Sequence, residues 1–572
     1  MTIPDHILLR VHDLSIGFHA GDQVKVAVSG ISFDIEKGKT LGIVGESGSG
    51  KSVSSLSLMQ LLQKDKAVFL SGEVFIHMDL LTNQVLDPAR CVESHYRCAP
   101  EDPIFAHLRG HAIAMIFQEP MTALNPVMRC GDQIMEMWRN NPHIGRQEAR
   151  QKTLALFQDV LLPTPDQMME RYPHELSGGQ RQRVMIAMAM ACQPQLIIAD
   201  EPTTALDVTV QKEILELLKR LQKQHGMAMI FITHDLGVVR HMADDLVVMR
   251  RGQLVESGKA EQVLNSPRAI YTQALLACRP QWGKKWRLLP TIADMEAQTV
   301  RMEEQAIGHY DRPLLRVVDL TKTYVSHQGF FGQKKTEFQA VKQVTFDIMQ
   351  GETLGLVGES GCGKTTLSRM LLGLIPATSG EVWYNGQDLL TASKEQWRQV
   401  RKDLQIIFQD PYSALNPKIS VGDAILEPMV VRGFHQDAAG RMRAMRALLD
   451  KVGLPSDAAA KYPHEFSGGQ RQRIVIARAL ATQPKWIICD ESVSALDVSV
   501  QAQVLNLLND LKRDFGLTYL FISHDLSVIY QMCDRIMVMQ KGAIQELDRA
   551  DRVFFSPQSD YTQRLLQATM SV

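Results

Sequence analysis

The sequence has no long hydrophobic run. No window of its 572 residues approaches the roughly 18 to 20 apolar residues that a membrane-spanning helix needs. Its first residues, MTIPDHILLRVHD, lack the basic start and apolar core of a secretory signal. We therefore expect a chain that has no membrane span of its own.

Cysteine content and net charge are also low. Eight cysteines are scattered along the chain, which favours a reducing compartment over a disulfide framework. Lysine and arginine total 62 against 63 aspartates and glutamates, so the formal net charge is −1. This balance lacks the basic excess that is typical of nucleic-acid-binding domains, and we expect no nucleic-acid partner.

The chain instead contains one pattern twice. The segment that begins at Tyr172, YPHELSGGQRQR, returns 290 positions later at Tyr462 as YPHEFSGGQRQR. The segment that begins at Gly45, GESGSGKS, returns 313 positions later at Gly358 as GESGCGKT. Gln118 returns 291 positions later as Gln409, so the first copy has about 22 additional residues between its glycine loop and Gln118, which we place in a surface insertion at about 63–110.

The repeat predicts how the chain is divided. A chain of this length exceeds what one hydrophobic core usually serves. We expect one domain at residues 1–282, a linker of mixed charge at 283–312, and a second domain at 313–572. In both copies a short apolar strand, TLGIVG or TLGLVG, leads into a glycine loop and then a helix, which predicts the α/β class.

The glycine loops match G-x-x-x-x-G-K-[ST]. Glycines allow the backbone to wrap closely enough for its amides to cradle phosphates, and the lysine reaches the β- and γ-phosphates. An incidental glycine-rich turn is the alternative, which two full matches disfavour. The loop residues are Gly45, Glu46, Ser47, Gly48, Ser49, Gly50, Lys51 and Ser52, and Gly358, Glu359, Ser360, Gly361, Cys362, Gly363, Lys364 and Thr365.

Acidic residues follow a later apolar strand in each copy. Asp200 and Asp490 end the strands LIIAD and WIICD, where a carboxylate would organise Mg²⁺ together with the hydroxyl group of Ser52 or Thr365. The next residue in each copy, a glutamate, could accept a proton from the water that attacks the γ-phosphate. These candidate bases are Glu201 and Glu491.

Two histidines, His234 and His524, each close another apolar strand. One such histidine alone would more often be structural. Because the two repeat in register with the glutamates, we favour a contact to the γ-phosphate.

With these motifs, both copies resemble the ATP-binding subunits of ABC transporters. The resemblance covers the chain outside the insertion and linker, and implies two tandem P-loop NTPase domains, each with a helical subdomain. It also implies that each LSGGQ-type signature faces the γ-phosphate bound by the other copy. By that resemblance, each ATP would be bound by residues of both copies. One ATP would contact Lys51, Asp200, Glu201 and His234 of the first copy and Ser467, Gly468, Gly469 and Gln470 of the second. The other ATP would contact Lys364, Asp490, Glu491 and His524 of the second copy and Ser177, Gly178, Gly179 and Gln180 of the first.

The same resemblance implies further roles. Asp207 and Asp497 would link the two sites, and Phe18 and Tyr324 would stack on adenine, although each aromatic could instead belong to the core. Gln118 and Gln409 would sense Mg²⁺ and mark the region that contacts membrane subunits. The implied cofactors are ATP and Mg²⁺.

A narrower resemblance is to the peptide/nickel importer group. It is carried by QEPMTALNP and QDPYSALNP, by the YPHE segments, and by the tails SPRAIYTQALLA and SPQSDYTQRLLQ. It implies a peripheral ATPase at the cytoplasmic face of the inner membrane. This ATPase would energise import of glutathione, a dipeptide or an oligopeptide through two membrane permease subunits fed by a periplasmic or extracellular binding protein. A nickel chelate or another small solute stays open as cargo.

One alternative is a different class of function, and two others are sites for a metal other than Mg²⁺. A soluble two-domain ABC ATPase acting on the ribosome would usually have a longer, charged connecting arm. Some peptide-importer subunits have a cysteine cluster for an iron–sulfur centre, but only Cys278 follows the first tail and none follows the second, so no cluster is expected. The spacing of Cys91, His95 and Cys98 is not that of a zinc finger.

One cysteine, Cys362, lies inside the second phosphate loop. A nearby lysine and a helix N-terminus could favour its thiolate, which predicts that alkylation blocks this loop.

Neither copy has a degraded motif, so we predict two hydrolytic sites. Glu201→Gln and Glu491→Gln should each reduce steady-state ATP turnover severely, because each removes the carboxylate that handles the attacking water. The measurement is phosphate release by each purified variant beside the unmodified chain. Near-normal turnover in either variant would contradict the equivalence of the two sites.

Overall fold

The computed structural model describes residues 4–63, 66–76, 108–110, 112–138, 144–204, 206–300, 304, 308, 310–328, 334–434, 437–494 and 496–570. The chain divides into two compact units, which consist mainly of residues 1–206 with 210–276, and of 277–571. Most of the expected insertion lies outside the described residues, as do Cys91, His95 and Cys98.

The first unit contains two sheets. A three-stranded antiparallel sheet has β1 at its centre, between β2 and β4, and a six-stranded sheet has the order β5-β6-β7-β3-β8-β9. The six strands are parallel except for β9, which is antiparallel to β8. The strands are β1 Ile7–Ala20, β2 Gln23–Glu36, β3 Thr40–Val44, β4 Ala67–Ile76, β5 Ile113–Ile116, β6 Leu196–Asp200, β7 Ala228–Thr233, β8 Asp245–Arg250 and β9 Gln253–Lys259.

The helices of the first copy surround this sheet and form a separate group between β5 and β6. Short 3₁₀ turns lie at Glu136–Trp138 and Pro173–Glu175. The helices are α1 Lys51–Leu58, α2 Pro120–Ala123, α3 Cys130–Met135, α4 Arg146–Asp159, α5 Pro165–Glu170, α6 Gly178–Met190, α7 Val208–His225, α8 Leu236–Met242, α9 Ala260–Asn265 and α10 Ile270–Ala277.

The second unit repeats this arrangement. Its larger sheet has the order β15-β16-β17-β12-β18-β19, and its antiparallel sheet has the order β11-β10-β13-β14. The strands are β10 Pro313–Gln328, β11 Lys334–Met349, β12 Thr353–Val357, β13 Ser379–Tyr384, β14 Gln387–Asp388, β15 Leu404–Ile407, β16 Trp486–Asp490, β17 Thr518–Ile522, β18 Arg535–Gln540 and β19 Ala543–Arg549.

The helices of the second unit begin with one short helix ahead of its first strand. 3₁₀ turns lie at Ser456–Ala460 and Pro463–Glu465. The helices are α11 Ile292–Glu296, α12 Lys364–Leu371, α13 Lys394–Asp403, α14 Pro411–Ala414, α15 Val421–Arg432, α16 Ala438–Lys451, α17 Gly468–Leu480, α18 Val498–Phe515, α19 Leu526–Met532, α20 Ala550–Phe555 and α21 Asp560–Met570.

The central strands are apolar on both faces because helices or the second sheet cover both sides. All five residues of β3 and of β12 are buried, and so are the six residues of β7. Such continuous apolar runs are typical of parallel sheets. The prediction of two α/β nucleotide-binding domains is confirmed, and in the first unit the helical subdomain packs around Phe157, Met168 and Met185.

The structure places the segment after α10 with the second unit. Residues 282–296, which we call the strap, lie against helices of that unit, and Leu289 in the strap is only 2% exposed. The strap ends in α11, whose N-cap Thr291 and third residue Asp294 exchange hydrogen bonds in a capping box. The sequence suggested a simple connector here because the stretch has mixed charge and no regular apolar spacing. No helix in the described ranges is long and apolar enough to cross a bilayer.

Phe157 offers a test of the packing of the helical subdomain. Its side chain is fully buried in the first unit, so Phe157→Ala should lower the free energy of unfolding of that unit by about 3–5 kcal/mol. Denaturant unfolding followed by fluorescence and circular dichroism measures this loss. The matched control is Val127→Ala, whose side chain is 79% exposed and whose loss should cost less than about 0.5 kcal/mol. Equal effects of the two substitutions would contradict the assigned packing.

Candidate nucleotide sites

The lysine of each glycine loop folds back over that loop. In the first copy the loop follows β3, and Lys51 is the first residue of α1. Its ammonium group donates hydrogen bonds to the carbonyl oxygens of Gly45 and Glu46, at 2.6 and 2.9 Å. Lys364 makes the same contacts in the second copy, at 2.6 Å to Gly358 and 3.1 Å to Glu359. Each lysine is thus held at its loop, where it can neutralise phosphate charge.

The loop shape requires glycine at its first position. Gly45 and Gly358 have backbone φ angles of 154° and 152°. A Cβ atom at either position would collide with a backbone carbonyl oxygen, that of Met249 or Met539. The loop can therefore lie this close to the neighbouring strand end only without a side chain.

A tyrosine from each tail reaches the loop, a contact that the sequence analysis missed. The Tyr271 hydroxyl group accepts a hydrogen bond from the Glu46 amide at 3.4 Å and lies 3.3 Å from the Glu46 carboxylate. The Tyr561 hydroxyl group accepts from the Glu359 amide at 3.2 Å. The signal was present, since both tails contain Y-T-Q at the repeat spacing, but nothing in the sequence indicates what the tyrosine contacts.

The first acidic residue of each pair lies at the end of a buried strand. Asp200 ends β6, and its Oδ1 accepts a hydrogen bond from the Ser52 hydroxyl group at 3.3 Å. Burial raises the pKa of Asp200, and the Ser52 hydroxyl group opposes that shift. Burial and the neighbouring Glu491 likewise raise the pKa of Asp490, which ends β16. A hydroxyl and a carboxylate oxygen beside a phosphate loop are ligands that suit Mg²⁺.

The next residue has a strained backbone. Glu201 has a φ angle of 46°, in the left-handed region that residues other than glycine seldom adopt. Its amide donates to the Ile232 carbonyl oxygen in β7 at 2.9 Å, which holds this conformation. Glu491 has a φ angle of 49° and the same bond, to Ile522 in β17. Such strain is concentrated at functional sites.

Three side chains surround the Glu201 carboxylate. Oε2 accepts hydrogen bonds from Gln118 Nε2 and Thr204 Oγ1, both at 3.0 Å, and lies 3.3 Å from His234 Nδ1. Burial alone would raise the pKa of Glu201, but the bond and charge of His234 hold it below the usual range. The carboxylate therefore stays ionised and able to accept a proton.

The second copy assembles a matching cluster of glutamine, glutamate and histidine, whereas Ser494, at the position of Thr204, donates to the Glu491 backbone carbonyl oxygen instead. Glu491 Oε2 accepts a hydrogen bond from Gln409 Nε2 at 2.7 Å and lies 3.5 Å from His524 Nδ1. Burial opposes the shift, yet His524 and the nearby lysine lower the pKa of Glu491. In turn, Glu491 raises the pKa of His524 against the opposite effect of burial. The structure thus brings the predicted glutamine, glutamate and histidine together in each unit.

Each signature serine caps a helix. Ser177 precedes α6, and its hydroxyl group accepts from the Gln180 amide at 3.3 Å, while the Gln180 side chain accepts from the Ser177 amide at 3.1 Å. Ser467 and Gln470 form the same capping box ahead of α17. The two glutamines therefore stabilise their own helix. The glycine amides at the helix N-terminus are donors suited to an anion.

The two proposed adenine-stacking residues lie in β1 and β10. Tyr324 is 41% exposed, so it is not a core residue, and Lys322 Nζ lies 5.1 Å from its ring centroid. Phe18 is half-buried and pairs with Lys25 and Ala67 on the neighbouring strands. Tyr324 is therefore the more accessible of the two for stacking.

The remaining predicted residues lie at loop and helix ends. Asp497 is the N-cap of α18, and Asp207 immediately precedes α7.

The expectation of a reactive thiolate at Cys362 is wrong. This residue is 5% exposed, and burial raises the pKa of its thiol despite Lys364, whose Nζ lies 4.0 Å from Sγ. The neighbouring charge was visible in the sequence, whereas the burial was not.

Two buried sites of this kind define a P-loop ATPase with two nucleotide-binding units. The family model described as "ABC transporter" matches residues 28–204 and 341–494, and that described as "Oligopeptide/dipeptide transporter, C-terminal region" matches residues 255–308. The chain belongs to the ABC transporter family. It is therefore an ATP-binding ATPase, and the predicted membership of the peptide-importer type is confirmed.

Curated relatives match almost the entire chain. The chain is 46% identical to "Glutathione import ATP-binding protein GsiA" of Escherichia coli (strain K12) over 98% of its length and 89% of that protein. The same protein of Shigella dysenteriae serotype 1 is 47% identical over the same shares. Among solved structures, a dimeric bacterial ABC transporter cassette matches 41% of this chain and 98% of its own at 26% identity, with a TM-score of 0.37.

Burial of Cys362 predicts slow alkylation. N-ethylmaleimide at neutral pH should modify Cys362 more slowly than Cys192, because Cys192 is more exposed, although burial raises both thiol pKa values. Peptide mapping by mass spectrometry over a time course gives both rates. Cys362→Ser should leave ATP turnover within about twofold of the unmodified chain, because Ser49 occupies the matching position of the first loop. Faster modification of Cys362 than of Cys192 would contradict the assigned burial.

Proposed function

We propose that this chain is the ATP-hydrolysing subunit of an importer for glutathione or another short peptide. The observation that carries the proposal is the repetition of an intact site. In each unit a lysine donates hydrogen bonds to the carbonyl oxygens of its phosphate loop. A glutamate carboxylate in the same unit is contacted by a glutamine and a histidine. Because neither cluster lacks a member, both sites are expected to hydrolyse ATP.

The glutamates act as bases toward water in this mechanism. Glu201 is ionised, and Gln118, Thr204 and His234 fix its carboxylate at the end of β6. A water molecule that donates a proton to this carboxylate can attack the γ-phosphate of bound ATP, and phosphate leaves with ADP as the other product. Lys51 stabilises charge that develops on the phosphate oxygens.

The same layout serves the second copy. Gln409 and His524 hold Glu491, and Lys364 closes the loop. The residues that would hold Mg²⁺ are Ser52, Gln118 and Asp200 in the first copy and Thr365, Gln409 and Asp490 in the second, and the metal would neutralise phosphate charge there. The pairing of each signature with the ATP of the other copy stays a prediction of the family resemblance.

The transport role follows from the relatives and from the tails. Relatives that match 98% of this chain are named "Glutathione import ATP-binding protein", and the model of the oligopeptide/dipeptide transporter C-terminal region covers the first tail. We therefore propose two membrane permease subunits and a substrate-binding protein as partners, and a peripheral position on the cytoplasmic face of the inner membrane. In this arrangement ATP-driven movement of the two units would gate the permease.

Copurification under trapping conditions tests the partners. The double variant Glu201→Gln/Glu491→Gln, purified from native membranes with ATP, should retain its partners because ATP is bound but turned over slowly. Mass spectrometry should then identify two polytopic membrane proteins. The matched control is Lys51→Ala/Lys364→Ala, which should bind ATP weakly and yield fewer partners. Ribosomal proteins without any membrane protein would contradict the importer role and leave the ATPase assignment intact.

Uptake by cells tests the cargo. Cells lacking this chain should lose saturable uptake of radiolabelled glutathione, and the unmodified gene should restore it whereas the Glu201→Gln/Glu491→Gln variant should not. Unlabelled dipeptides, oligopeptides and a nickel chelate serve as competitors. Uptake that only the nickel chelate abolishes would contradict a peptide as cargo.

A further inference from the structure

The strap is bound by side-chain amides that pair with its backbone. The Asn506 carboxamide accepts from the Leu289 amide at 2.7 Å and donates to the Leu289 carbonyl oxygen at 2.8 Å. Gln531 pairs in the same two-way manner with the backbone of Trp286. Asn509 donates to the Arg287 carbonyl oxygen at 3.2 Å. The backbone of residues 286–289 therefore bonds to side chains much as a strand bonds to a neighbour.

Aromatic and charged contacts add to these amide pairs. The Trp282 ring lies 5.0 Å from that of Phe554. Lys285 Nζ lies 4.9 Å from the Tyr530 ring centroid and donates to the Cys533 carbonyl oxygen, at the C-terminus of α19, at 2.7 Å. A cation at that end of a helix is favourable because the last carbonyl groups have no partner within the helix.

The strap bridges two helices that begin shortly after Glu491 and His524 in the chain. Asn506 and Asn509 belong to α18, which starts directly after Asp497. Gln531 belongs to α19, which starts two residues after His524. Because a helix is stiff along its axis, a fixed distance between these two helices also fixes the position of His524 beside Glu491.

The first copy lacks every one of these strap-binding residues. At the matching positions of α7, α8 and α9, carboxamides and aromatics are replaced mainly by charged side chains, which cannot form the same two-way pairs or ring contacts. Asn506, Asn509, Tyr530, Gln531 and Phe554 correspond to Glu216, Lys219, Arg240, His241 and Leu264. The strap is therefore specific for the second copy, although the folds of the two copies are alike.

We propose that the strap is a positioning element of the second nucleotide site. By joining α18 to α19, it holds His524 against Glu491 and so raises the rate of hydrolysis at that site alone. The first copy has no matching side chains for such a brace. The inference rests on the proposed roles of Glu491 and His524, and it adds that the two sites, although alike in their catalytic residues, differ in what holds those residues in place.

The test removes the two amide pairs from the intact chain. The severe effect expected of either Glu→Gln variant makes each turnover depend on both sites, so a slower second site limits the whole chain. Asn506→Ala/Gln531→Ala should therefore lower kcat about threefold to tenfold, which corresponds to the net free energy of about one hydrogen bond, while KM for ATP changes less than about twofold. Hydrogen exchange at the Trp286 and Leu289 amides should accelerate. After trapping with vanadate and a photoreactive ATP analogue, labelling of the Lys364 loop should fall, and labelling of the Lys51 loop should not.

The matched control is Glu216→Ala/His241→Ala, which alters the corresponding positions of the first copy and should change neither kcat nor the labelling pattern.

If Asn506→Ala/Gln531→Ala does not fold, the single variant Asn509→Ala, which removes one strap contact, should shift kcat and labelling in the same direction by less. Equal loss of label from both loops, or an unchanged kcat once the strap amides exchange rapidly, would overturn the proposal. Severe loss of turnover in Glu201→Gln but not in Glu491→Gln would instead contradict the proposed role of Glu491, independently of the strap.

Discussion

One backbone hydrogen bond in each unit determines where the candidate base lies. The Glu201 amide donates to Ile232, and the Glu491 amide to Ile522, each at 2.9 Å. Each bond continues the pairing of two parallel strands by one residue and forces that residue into the left-handed region of the backbone. The carboxylate then lies beside a glutamine and a histidine that come from different loops. Backbone strain of this kind persists only because well-packed strands on both sides overdetermine it.

The two units share this chemistry but differ in what supports it. In the part of the chain that the structure describes, only the second unit is also contacted by a segment that the sequence suggested was a connector. The difference is local. It involves carboxamides and aromatic rings on three helices of one copy, with charged residues in most of the same places of the other. A fused pair of domains can thus keep both active sites intact while their supporting contacts diverge.

The motifs allowed most of the fold, and the grouping of the glutamine, glutamate and histidine in each unit, to be predicted from the sequence. A glycine loop after an apolar strand has few possible structures, so the positions of Lys51 and Lys364 beside their loops could be predicted from the sequence alone. The features that the sequence did not predict were missed for physical reasons. The φ angle of Glu201 depends on a partner 31 residues away, and the contact of Tyr271 with Glu46 depends on a tail 225 residues away, so no local pattern encodes either. For Cys362 the neighbouring Lys364 indicated a lowered thiol pKa, but burial has the larger effect on that pKa and raises it.

The tail tyrosines also have a consequence for the order of assembly. Glu46 and Tyr271 are 225 residues apart, and Glu359 and Tyr561 are 202 apart. At roughly 5–20 residues per second of synthesis, each loop waits on the order of 10–45 seconds for its tyrosine to be made. The strands that flank the strand before each loop, β7 and β8 in the first unit and β17 and β18 in the second, are also made late in that interval. Each phosphate loop is therefore completed only when nearly the whole of its own unit has been made.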